Sequence, residues 1–424
     1  MLLISQTYWT GGHIKFRYAP EGVSGRPVAL NAKDGARIRG LYWTPDANPN
    51  PKVAVVAAHP RVDFQEHHTF PKFLEAGYGC LGANTRTLNN DADCLHEKLL
   101  FDIAAYLTWL QEEGVEKIVL MGNSGGGSLF SFYQAQAKAT PDARIRMSPD
   151  GGATGLDALE MPVADALIFL AAHTGQGLIM NEVIDGAVID EDDPLLTDPA
   201  LDIYDARNGF RPPPEWSRYD PAFLKTYRAA QLDRVRRIDA GARDRIAFQR
   251  EAERMNGIDE FNELPLDVQR RSLRREAFEP LMLVYRTMAN PAYVDDSIDF
   301  SNRAYGSLLS PRPDLMNYQR LGFGRVVAPR GWLSTWSGLS SNANILESGL
   351  AVTEPALVVN AGRDLDVHPQ AHSRRIFDTL ASTDKTYVEF PDALHYFEPD
   401  DAGDKALNDL MDCLVPWVAE RFPV

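Results

Sequence analysis

Short, wholly apolar runs punctuate the first part of the chain. Lys52–Ala58 (KVAVVAA), Lys117–Met121 (KIVLM) and Ala166–Ala171 (ALIFLA) are apolar at consecutive rather than alternate positions. That is the pattern of strands buried on both faces of a parallel sheet. Gly79–Ala83 reads as another strand, and Pro27–Asn31 and Arg37–Trp43 bracket Asp34-Gly35, a hairpin signal. Helical patterns fill the gaps: Phe70–Ala76, Ser128–Lys138, and Leu95–Glu112, where Leu99, Leu100, Ile103, Ala104, Leu107 and Leu110 recur at helical spacing. Strands alternating with helices predict an α/β fold with a mostly parallel central sheet and helices on both faces.

The rhythm stops near His173. It resumes at Ala356–Asn360 (ALVVN) and Thr386–Phe390, and Leu407–Arg421 reads as a closing helix. The intervening tract is rich in charge and aromatics, with helical stretches at Pro221–Met255 and Leu266–Met288 and Pro-rich pieces at Arg211–Pro214 and Ser310–Pro313. Its charge runs, Asp233–Arg237 and Arg270–Glu276, read as solvated helix faces. One α/β domain, residues 1–172 and 345–424, interrupted by an insertion over 173–344, is therefore expected rather than two tandem domains.

Composition narrows the function. The 424 residues carry 59 acidic and 43 basic side chains, a formal net charge of −16. Non-specific nucleic-acid binding and an anionic membrane surface both need a basic face and are disfavoured. With 44% hydrophobic residues the chain can bury a core and is not disordered. The three cysteines, Cys80, Cys94 and Cys413, form neither a disulfide framework nor a CxxC site. Met1–Tyr18 lacks the basic and apolar regions of a signal peptide. The expectation is a cytoplasmic protein with a small-molecule substrate and no nucleic-acid or membrane partner. A homodimer is compatible with the sequence.

The chemistry concentrates at Lys117-Ile-Val-Leu-Met-Gly122-Asn-Ser124-Gly-Gly126. G-x-S-x-G directly after a strand and before a helix is a nucleophile elbow: the sharp turn strains the serine backbone, and flanking glycines allow close approach. The glycines fit neither a phosphate-binding loop, which needs Lys-Ser/Thr after the last glycine, nor a dinucleotide loop. Ser124 is the expected nucleophile. A serine needs a general base, and His395, a few residues past the last strand, is the best placed. The imidazole in turn needs a carboxylate. Asp364 and Asp366 both follow strand Ala356–Asn360; Asp364 is favoured, being first and preceded by Gly362. The expected oxyanion donors are the backbone amides of Gly125 and of Arg61, in the loop after Lys52–Ala58, since Pro60 has no N–H. His59 is expected to brace that loop at the edge of the substrate site. The Arg61 side chain reads as a surface salt-bridge partner rather than a carboxylate binder. His368 with His372, and His67 with His68, read as incidental pairs, so no metal and no cofactor is expected.

Together, His59-Pro-Arg61, Asn84-Thr-Arg86 and Gly122-Asn-Ser124-Gly-Gly-Gly resemble the bacterial esterase-type members of the α/β-hydrolase superfamily. The order Ser124, Asp364, His395 matches that superfamily's triad order, over roughly residues 25–172 and 345–424. Pro60 departs from the Gly that many members carry after the histidine. The resemblance implies an α/β-hydrolase fold, with the insertion in the place of the cap. Trp332 and Trp336, four apart near the insertion's end, and Tyr396 beside the base are candidate substrate walls, suited to a hydrophobic or aromatic acyl group. The expected activity is hydrolysis of a carboxylic ester or lactone through an acyl-enzyme. Carbon–carbon bond hydrolysis of a ketone or diketone by the same triad is the alternative, and a non-catalytic binding member of the fold is a weaker one.

Overall fold

The computed structural model describes residues 14–18 and 20–424. The first 13 residues of the expected core domain, and with them most of the Met1–Tyr18 stretch read for a signal peptide, lie outside the described residues. Ten strands are present among the described residues: β1 (Val23–Asn31), β2 (Arg37–Pro45), β3 (Val53–Ala57), β4 (Gly79–Asn84), β5 (Lys117–Asn123), β6 (Ala166–Leu170), β7 (Met282–Leu283), β8 (Val326–Val327), β9 (Ala356–Ala361) and β10 (Lys385–Phe390). Eight form one sheet in the order β1-β2-β4-β3-β5-β6-β9-β10. Every pairing from β4 to β10 is parallel, and only β2 runs against its neighbours.

The consecutive apolar runs become central strands because each face has its own core. Val53, Val55, Val119, Met121, Ile168 and Val359 join the cluster on one face. Their neighbours Ala54, Val56, Ile118, Leu120, Phe169 and Val358 join the other. Period-two alternation of side chains is preserved, with both sides apolar. Helices His96–Glu112 and Gly126–Lys138 cover the second face, burying Leu99, Ile103, Leu107, Phe130 and Tyr133.

Between β6 and β9 the regular alternation of strand and helix gives way to a long tract with no strand of the main sheet. Its main element is one helix, Pro221–Asn256. Asp220 caps it, accepting from the Ala222 N–H at 2.8 Å, and Pro221 takes the first turn, where no N–H is needed. Tyr227, Gln231, Val235, Ile238, Ala242 and Ile246 form its buried stripe. All of these but Gln231 belong to the same cluster as one face of the sheet, so this segment shares the core instead of forming a separate one. The fully buried Arg286–Asp185 pair, 2.7 Å apart, ties its segments together.

One predicted helix is too long. The helix expected over Leu266–Met288 stops at Ala277. Pro280 disfavours helical backbone at Glu279, and the chain turns to form β7, paired antiparallel with β8. No helix among the described residues is long and apolar enough to cross a membrane.

Candidate active site

Ser124 stands between β5 and helix Gly126–Lys138 with φ of 55°, left-handed backbone that serine rarely adopts. Its N–H donates to the Leu170 carbonyl of β6 at 3.0 Å, which pins the turn to the sheet. The glycines are sterically required. A β-carbon at Gly122 would lie 2.5 Å from the Gly127 nitrogen, and one at Gly126 would lie 2.2 Å from the Ala58 carbonyl oxygen.

His395 lies in the loop after β10, and its Nδ1 meets Asp364 Oδ2 at 2.5 Å. Asp364 follows β9, and its other oxygen accepts the N–H groups of Asp366 (2.9 Å) and Val367 (3.0 Å). Burial opposes the Asp364 carboxylate, but His395 and these two amides outweigh it and hold its pKa below the ordinary value. Burial likewise opposes a charged His395. Asp364 outweighs that and, with Glu398 and Asp366, raises the imidazole pKa above the ordinary histidine value.

Ser124 and His395 face one cavity of about 30 Å³. That is room for about two water molecules. Ile179, Leu308, Phe323, Trp336 and Val367 make its apolar part. His59, Arg61, His173, Gln176 and Asp366 make its polar part, the smaller share of the lining surface.

The strand order, the single antiparallel β2, the strained serine after β5, and an acid and a histidine after the last two strands occur together. This is the α/β-hydrolase fold. No protein-family model matches the chain, and no curated protein sequence matches it. Solved structures overlap it partially. One is the hypothetical protein PA2218 from Pseudomonas aeruginosa: 13% identity, TM-score 0.47, over 97% of this chain and 98% of that one. Another is the esterase domain of a Rhodothermus marinus protein, at 10% identity and TM-score 0.41 over 94% and 98%. A third is the Pyrococcus horikoshii acylaminoacyl peptidase, at 11% identity and TM-score 0.44, covering 95% of this chain but 42% of the peptidase. At such low overlap, strand order and elbow geometry alone carry the fold.

Within the α/β-hydrolase framework, four expectations need correction. The Arg61 amide is not open to an oxyanion: it donates to His59 Nδ1 at 3.0 Å, as does the Val62 N–H at 3.1 Å. The Arg61 side chain is buried rather than on the surface; it pairs with Asp91 and stacks 4.5 Å from the Trp336 ring. Trp332 is no substrate wall. It is fully buried, and its indole N–H, which needs an acceptor, finds Asp239 Oδ1 on the long helix at 2.7 Å. Ser337 donates to the other oxygen of Asp239 at 2.9 Å, so this contact fastens the returning segment to the helix. Tyr396 is also buried away from the cavity, with its ring edge-on to His395 at 4.4 Å. Trp336 and His59 do line the cavity.

Sequence reasoning missed His173, Gln176 and the insertion residues Leu308 and Phe323. A signal existed for the first two. They directly follow β6, at the same carboxyl edge of the sheet as Ser124 and Asp364, where ligands of open α/β sheets bind. Leu308 and Phe323 lie in irregular chain with no periodicity to mark them. Among the described residues no group of three or more His, Cys, Asp or Glu side chains is arranged to hold a metal.

Proposed function

We propose that the protein is a serine hydrolase acting on a small carboxylic ester or lactone. Ser124 attacks the carbonyl, His395 takes its proton and returns it to the leaving oxygen, and Asp364 fixes the His395 tautomer. Water then releases the acyl group by the same route. The observation that carries this reading is the strained Ser124 sharing one cavity with a histidine whose Nδ1 is held by a buried aspartate. The insertion acts as the cap, since Leu308, Phe323 and Trp336 from it close the cavity. The small volume favours a short acyl group, rather than the large aromatic one that two exposed tryptophans would have suited.

A fluorophosphonate probe is expected to label the native protein at Ser124. In a substrate panel, p-nitrophenyl acetate should turn over faster than the laurate, with lactones and β-diketones as the other arms. Absence of labelling and of any turnover would sink the hydrolase reading. Turnover confined to the diketones would move it to carbon–carbon cleavage.

The pH profile provides a separate check. The neutral imidazole is the competent base, and the raised His395 pKa keeps the proton bound to higher pH. The acid limb of kcat/KM is therefore expected to have its midpoint above about 6.5. Initial rates between roughly pH 5 and pH 9 measure it, and a midpoint well below the ordinary histidine value would contradict the His395–Asp364 coupling.

A further inference from the structure

With the loop amides of Arg61 and Val62 both donated to His59 Nδ1, the second oxyanion donor has to come from elsewhere. We propose that the oxyanion is held by the Gly125 N–H and by side-chain donors, His59 Nε2–H with Gln176 beside it, in place of a backbone amide from the loop after β3. This rests on the serine-hydrolase reading and assigns one of its working parts.

The two loop amides fix the chemistry of His59. A ring nitrogen that accepts N–H bonds carries a lone pair, so the proton of the neutral ring sits on Nε2. The ring stays neutral: burial, with the Arg61 guanidinium nearby, depresses its pKa well below the ordinary histidine value. His59 is 2% exposed and lines the cavity that contains Ser124 and His395. Its Nε2 faces the elbow, because a β-carbon built on Gly125 would lie 2.8 Å from it. Covalent geometry then puts Nε2 within about 5 Å of the Gly125 nitrogen. One oxygen can span that gap with two hydrogen bonds of about 2.9 Å each. The Gly125 N–H meets no acceptor among the described residues.

Gln176 approaches the same spot. Its Nε2 would lie 2.1 Å from a β-carbon at Gly125, and that buried atom makes no hydrogen bond of ordinary geometry. Ser128 Oγ donates to Gln176 Oε1 at 3.2 Å, which leaves the NH2 end turned to Gly125. The Gln176 amide otherwise reaches only His96, without a hydrogen bond of ordinary geometry, and a buried donor so loosely committed is useful where negative charge develops only during reaction. The arrangement also explains why position 125 is glycine, since any side chain would displace both donors.

The test compares kcat for p-nitrophenyl acetate with the affinity for a trifluoromethyl ketone, whose adduct with Ser124 carries the oxyanion. His59→Ala is expected to lower kcat by about 10²–10³-fold and to weaken ketone binding by a similar factor, with KM little changed. His59→Gln, which restores a donor near Nε2, should recover part of both. Gln176→Leu should show a smaller loss of the same kind. If the loop amide is the true donor, His59→Ala frees it, and activity within about threefold of wild type would overturn the proposal. Should His59→Ala fail to fold, 15N-histidine NMR of the wild type decides: the His59 Nε2–H resonance must move when the ketone adduct forms, and an unmoved resonance overturns the proposal. A wild type that neither turns over esters nor binds the ketone overturns the hydrolase reading and this proposal with it. An active wild type with an unaffected His59→Ala overturns this proposal alone.

Discussion

Ser124→Ala is expected to lower kcat by about 10⁴–10⁶-fold while the protein stays folded. The large effect follows from the proposed role: without Oγ no acyl-enzyme can form, and only binding and the oxyanion donors remain to assist water. The small structural effect follows from the contacts. The Ser124 side chain makes no hydrogen bond among the described residues, and the turn is held by its backbone N–H to Leu170 and by the flanking glycines. Alanine at φ of 55° is strained about as much as serine, so that cost cancels. The melting temperature should shift by no more than a few degrees, in line with substitutions that remove no packing or hydrogen bond. Residual ester turnover within about tenfold of wild type, in a protein of unchanged melting temperature, would show that Ser124 is not the nucleophile.

The parts of this fold that could be read from sequence are those set by local chemistry. Val53–Ala57 and Ala166–Leu170 are apolar at every position because both faces of the sheet are covered, and that alone marks them as central parallel strands. The elbow was legible because its glycines answer to steric demands within a few residues: Gly122 meets Gly127, and Gly126 meets Ala58. Asp364 could be preferred over Asp366 from its place after the strand. What resisted reading depends on contacts between distant residues. The Arg61 amide looked available because nothing in the chain says which way the neighbouring His59 ring turns. Trp332 and Trp336 look equivalent in sequence, yet the first is taken by Asp239, 93 residues away in the chain, while the second stays at the cavity beside Arg61. The segment after Ala277 carries an apolar pattern fit for helix or strand, and pairing with Val326–Val327 decides it.

The two aspartates after β9 should respond to the same substitution in opposite ways. Asp364→Asn is expected to cost about 10⁴-fold in kcat. The reason lies in which oxygen is already occupied. Asp364 Oδ1 accepts the N–H groups of Asp366 and Val367, so in asparagine the carbonyl oxygen must take that place. The NH2 end is then turned to His395 Nδ1, which has to become the acceptor and moves its proton to Nε2. An imidazole protonated on Nε2 cannot receive the Ser124 proton. Asp366→Asn leaves that pair intact and should change kcat by less than about tenfold, the size of an effect from altered polarity rather than lost chemistry. Its visible effect should be on stability. Burial, aided by the neighbouring Asp364 charge and only partly relieved by Tyr293, raises the Asp366 pKa to about 6. A carboxyl whose folded pKa lies above its unfolded value costs stability increasingly as pH rises through that interval, from about 4 to 6. Replacing it with asparagine removes the cost. Asp366→Asn should therefore melt at a higher temperature than wild type at pH 7, and the gap should close near pH 4. Thermal melts of both variants across this range, run beside ester kinetics, test the assignment; equal kinetic losses in the two variants would refute the choice of Asp364 as the partner of His395.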